Sequence, residues 1–142
     1  MIMQRTGSIR TGVMLASIVA GPVFIVSAYA ASLYLTIPAP VVLDANKIIA
    51  FALVAVPAIA LGFIIALVPN CVGAALMTAL AERVEFARPP LVWTIVGAGI
   101  GMALALVFKV YPTEPELAFG LTIASAISAR LCRTSLDWDA AL

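Results

Sequence analysis

Residues 12–37 read GVMLASIVAGPVFIVSAYAASLYLTI, a run without a single charged side chain. At about 1.5 Å per residue a helix of this length exceeds the ~30 Å hydrocarbon core of a bilayer, so the stretch is expected to span a membrane with some tilt. Pro22 follows Gly21 in its middle. Proline has no N–H to give to the preceding turn, so a kink is expected, with neighbouring helices compensating for the lost bond. Tyr34, near the far end, suits the membrane interface.

The flank before this run carries Arg5 and Arg10, and Ala28-Tyr29-Ala30 has the small-x-small pattern of a signal-peptidase site. The apolar run continues past that point through Ala31-Ser32-Leu33-Tyr34-Leu35. An uncleaved first span is therefore the expectation.

Outward from this segment the pattern repeats. Pro38-Ala39-Pro40 stops the first helix, and Asp44 is positioned to cap the next. The second span is read at residues 48–68, uncharged, with Pro57 as a second kink. Pro69-Asn70 is read as its end. Residues 71–87 differ in kind, because Val72, Leu76, Leu80 and Val84 fall four apart while Glu82, Arg83, Glu85 and Arg88 bring charge. This stretch is expected to be a short amphipathic helix at the membrane surface, the alternative being an extension of the second span into the cytoplasm.

Pro89-Pro90 opens the third span, residues 91–110, with Trp93 as an interfacial anchor and Lys109 reaching the headgroups. Thr113 and Glu116 have capping-box spacing ahead of the fourth span, residues 115–132. That span is the shortest in apolar content, since only Leu117 to Ala129 is free of charge. The tail from Thr134, with Asp137, Trp138 and Asp139, reads as a loose surface segment.

Charge placement sets the number of spans. With four, Arg5, Arg10, Arg83, Arg88, Arg130 and Arg133 share one side, and only Lys47 and Lys109 lie on the other. With three, the bias disappears. The positive-inside tendency therefore predicts an all-α, four-span bundle of the cytoplasmic (inner) membrane with both termini in the cytoplasm.

Composition limits the chemistry. Of 142 residues, 64% are apolar and 11% charged, against about half and about a quarter in soluble domains. The net charge is +1, with Lys and Arg scattered, which excludes a nucleic-acid surface. Histidine is absent, removing the usual haem, zinc and copper ligand and the commonest general base. Cys71 and Cys132 are the only cysteines and read as small apolar fillers. None of the four apolar cores holds Asp, Glu, Lys or Arg, so a buried-carboxylate proton relay, a metal site and an acid–base enzyme site all lack residues. No cofactor and no catalysis are expected.

The cores instead hold small residues. Gly97 and Gly101 lie one turn apart in the third span, and Gly120, Ala124 and Ser128 form a stripe in the fourth. The two stripes are expected to pack face to face. Glu82, Arg83, Glu85 and Arg88 form the one dense charge cluster, a candidate partner contact. These features point to a non-enzymatic accessory or structural subunit, packing with itself or with a larger membrane complex. The alternative is a small oligomeric transporter or channel built on the helices kinked at Pro22 and Pro57.

Overall fold

The computed structural model describes residues 9–35 and 45–136 and, over residues 45–65, only some of the side chains. Asp44, Pro38-Ala39-Pro40 and the tail beyond Leu136 lie outside the described residues. Among those described, all regular structure is helical: α1 (Ile9–Leu35), α2 (Ala45–Arg83), a 3-10 turn (Glu85–Ala87), α3 (Pro90–Val107), the single turn α4 (Val110–Thr113) and α5 (Pro115–Thr134).

The four long helices stand in a row, α2–α1–α5–α3, each antiparallel to its neighbour. Ser17 meets Asn70 and Gly21 meets Ile59 across α1 and α2. Gly12 lies against Ser135, and Gly120 against Phe24 and Ala28, across α1 and α5. Gly97 lies against Ser125 and Ala129, and Gly101 against Leu121 and Thr122, across α3 and α5. The row curves, so that α2 and α3 flank a space backed by α1 and α5.

The segment with the weakest apolar signal occupies the centre. Helix α5 packs along both α1 and α3, and buries Ala118, Gly120, Ala124, Ala126, Ser128 and Cys132. A helix between two others needs small residues on both faces more than it needs large apolar ones, because close backbone approach provides the dispersion contacts.

Two helices, Arg10–Leu35 and Pro90–Val107, are long and apolar enough to cross a membrane. The third-span boundary moves inward from residue 110 to Val107, where the chain turns through Phe108 and Lys109. Lys109 takes a left-handed conformation with φ 55°, unusual for a side chain with a Cβ, and this reverses the direction of the backbone.

Helix α2 overturns the reading of residues 48–87 as a span followed by a separate surface helix at 71–87. It continues through Pro57, Pro69 and Asn70 to Arg83 as 39 residues. Each proline removes only one helical hydrogen bond, and its fixed φ is itself helical. Packing on α1 holds the helix through these points, with Asn70 Nδ2 donating to Ser17 Oγ at 3.2 Å. The same reasoning applies to α1, which continues through Pro22. In the last turns of α2, Val72, Leu76 and Leu80 point outward, as does Val84 just beyond its end, while Ala74, Met77, Thr78 and Ala81 are buried.

Two local expectations also change. Trp93 is not at the surface but 1% exposed, its Nε1–H donating to the Ala87 carbonyl at 2.8 Å. It packs in a core layer with Val13, Ala16, Ala74, Met77, Cys132 and Leu136. An indole buried with its one donor satisfied has no reason to seek an interface. Burial of Leu136 in that layer likewise shows that the described start of the tail is tied down. Thr113 and Glu116 form no capping box: Glu114 is the N-cap of α5 without a side-chain bond, and Thr113 Oγ1 donates back to the carbonyls of Lys109 and Val110.

Candidate functional site

The curved row holds a half-open cavity of about 360 Å³. Its walls come from four helices: Ala20, Gly21 and Phe24 of α1, Asn70, Gly73 and Met77 of α2, Trp93, Gly97 and Ile100 of α3, and Leu121, Ser125 and Cys132 of α5, among others. No Asp, Glu, Lys or Arg lines it. Side-chain volume is missing where the helices would otherwise fill the space: a Cβ at Gly73 would touch nothing within 4 Å. The size of the cavity falls within the roughly 300–1,000 Å³ range of small-molecule sites.

Polar groups at the cavity are few and neutral. Asn70 is drawn to Ser17, itself fully buried, by one of its two N–H groups. Ser128 Oγ donates to the Ala16 carbonyl at 3.4 Å and ties α5 to α1. The Asn70–Ser17 pair escapes a reading of the sequence, because Asn70 follows a proline and has the signature of a helix end. Only the continuity of α2 turns it into an interhelical bond.

The small-residue stripes are brought into contact, but with different partners from those expected. Gly97 and Gly101 do face α5. A Cβ on Gly97 would lie 2.5 Å from the Ser125 carbonyl oxygen, and one on Gly101 2.6 Å from that of Leu121. The facing residues are Leu121, Thr122, Ser125 and Ala129, not Gly120, Ala124 and Ser128. The latter side of α5 turns to α1, where a Cβ on Gly120 would lie 3.0 Å from the Phe24 ring. A helix between two neighbours has two packing faces, and these lie on different residues of its 3.6-residue turn.

The charge cluster sits where α2 turns into α3. Arg88 Nη1 lies 3.6 Å from Glu85 Oε1, with the Glu85 side chain 87% exposed, so the pair contributes at most a few tenths of a kcal/mol. Arg88 also donates from Nε to the Ala81 carbonyl, and its own carbonyl accepts from Arg133 Nε. These bonds fasten the turn to the end of α5. Glu82 and Arg83 are exposed on the last turn of α2. Of the two cysteines, Cys132 is the buried filler expected, and Cys71 is exposed rather than a filler.

Comparison with protein-family models, with curated proteins and with solved structures gave no match.

Proposed function

We propose that this chain is a four-pass protein of the cytoplasmic membrane, with both termini in the cytoplasm. In this reading it is a non-enzymatic accessory or structural subunit that packs with itself or with a larger membrane complex. The observation that carries the proposal is the outward face of the bundle. Leu53, Val56, Ile64, Val68 and Leu76 of α2, Ile95 and Leu106 of α3, and Val26 of α1 are all large, apolar and exposed. Soluble monomers rarely present contiguous apolar patches beyond a few hundred Å². A bilayer is the solvent in which such a face is stable. Charge supports the same arrangement, since Arg10, Arg83, Arg88 and Arg133 collect at the end where α1 and α3 begin and α2 and α5 finish.

The accessory reading is supported by the polar groups of the interior among the described residues. These are hydroxyls, an amide and a thiol, which supply no nucleophile–base pair. The surface instead offers close-packing helices and one exposed charged turn at Glu82, Arg83, Glu85 and Arg88. Extraction in mild detergent followed by identification of the co-purifying chains tests the reading. A stoichiometric membrane partner or a defined homo-oligomer without solute flux in liposomes is the expected result. A homo-oligomer that conducts a solute makes the chain a transporter or channel and overturns it.

A further inference from the structure

We propose that the arginine pole is a binding surface for anionic phospholipid, with Arg10, Arg83 and Arg130 holding headgroup phosphates. The inference rests on the membrane reading above and adds a ligand class to it. Charge selects the occupant. Among the described residues, the pole carries these arginines together with Arg88 and Arg133, against Glu82 and Glu85. The opposite pole carries Lys109 against Glu114 and Glu116. Arg88 and Arg133 are committed to the fold through their bonds to the carbonyls of Ala81 and Arg88. Arg10, Arg83 and Arg130 are exposed, and their guanidinium groups make no hydrogen bond or ion pair among the described residues. A guanidinium is a planar fork of donors that matches a phosphate with two parallel bonds.

Each of these arginines continues an apolar face on its own helix. Arg83 stands seven residues beyond Leu76 on the same side of α2, with Val72 one turn further back. Arg130 stands seven residues beyond Ile123 and three beyond Ile127 on α5. Arg10 stands four residues before Met14 and eight before Ile18 on α1. Val72, Leu76, Ile127, Met14 and Ile18 are all exposed. Seven residues of helix rise about 10 Å, so an acyl chain lying along Leu76 brings its phosphate to the level of Arg83. Phe86 and Leu91, exposed in the turn from α2 to α3, carry the apolar surface up beside Arg88. Free phosphate would use the guanidinium groups alone. A phospholipid uses the charge and the adjoining apolar face together.

The full chain is reconstituted into phosphatidylcholine vesicles carrying a trace of chain-labelled phosphatidylglycerol or phosphatidylcholine, each with a spin label near the end of one acyl chain. The share of label immobilised at the protein surface, read from the spin-resonance spectrum, measures relative association. Phosphatidylglycerol is expected to associate about fivefold more strongly than phosphatidylcholine, the effect of roughly one basic residue at a membrane surface. Raising the salt to about 1 M, where the Debye length falls to ~3 Å, should remove most of that preference. Arg10→Gln, Arg83→Gln and Arg130→Gln in combination should bring the two lipids close to parity. Lys109→Gln, at the opposite pole, should leave the preference unchanged. The salt titration uses the unaltered chain and decides the question even where the triple variant fails to fold. Equal association of the two lipids, or a preference that survives high salt or the triple substitution, overturns the lipid site alone. Displacement of phosphatidylglycerol by inorganic phosphate beyond that by chloride at equal ionic strength makes the pole a free-phosphate site and also overturns it. Failure of the chain to float with the vesicles overturns the membrane reading itself.

Discussion

Gly101 shows how much depends on the absence of one carbon atom. A Cβ there would stand 2.6 Å from the Leu121 carbonyl oxygen, 2.8 Å from the Thr122 Cα and 2.9 Å from the Ser125 hydroxyl. Two of these are backbone atoms of a helix held on both sides, so they cannot move aside without moving α5. Gly99 lies two residues away on the same helix, and a Cβ there would meet nothing within 4 Å. Gly101→Ile should therefore cost on the order of 1–3 kcal/mol through overpacking, and Gly101→Ala should already be destabilising. Gly99→Ile should be close to neutral. Thermal unfolding in detergent measures all three, and a larger loss for Gly99→Ile would place the α3–α5 interface on the wrong face.

At the scale of the element, α2 departs furthest from its pattern in the sequence. Two internal prolines and an asparagine look like punctuation, yet the helix passes through them where α1 packs on it, at the Asn70 side chain and at Ile59. Spin labels at Leu53 and Leu80, both exposed, test this. A continuous helix separates these positions by about 40 Å of rise. A break at Pro69, with residues 71–87 lying in the membrane plane, would give a clearly shorter distance. The continuous helix also predicts that labels at Val72 and Leu76 report lipid while labels at Glu82 and Glu85 report water.

For the whole molecule, the row α2–α1–α5–α3 places the ends of all four long helices at two opposite poles. One pole gathers Arg10, Arg83, Arg88 and Arg133, fastened by the bond from Arg133 to the Arg88 carbonyl. The other carries Lys109, Glu114 and Glu116. If the arginine pole is cytoplasmic, reporter fusions after Leu142 and after Pro112 should fall in opposite compartments. A C-terminal fusion on the far side of the membrane would remove α5 from the set of spans. Placing α5 at the centre further predicts that substitutions on its two small faces, toward Gly97 and toward Phe24, are more disruptive than substitutions on outward faces of α2.

The sequence alone determined that the chain is helical, where the apolar stretches lie, and that Gly97 and Gly101 mark a close contact. These are local properties: a charge-free run of sufficient length, a 3.6-residue period and a missing side chain each have consequences without knowledge of a partner. Only the tertiary structure decided which helix meets which. It turned Gly120 and Ser128 toward α1, buried Trp93, carried α2 through Pro69 and opened a cavity between two helices that are consecutive in the chain. Each outcome depends on a neighbour supplied from a distant part of the sequence: Ser17 for Asn70, Phe24 for Gly120, the Ala87 carbonyl for the indole of Trp93. In a bundle whose faces are all apolar, the hydrophobic pattern cannot distinguish inside from outside, and the choice is left to shape, hydrogen bonds and the fit of one backbone against another.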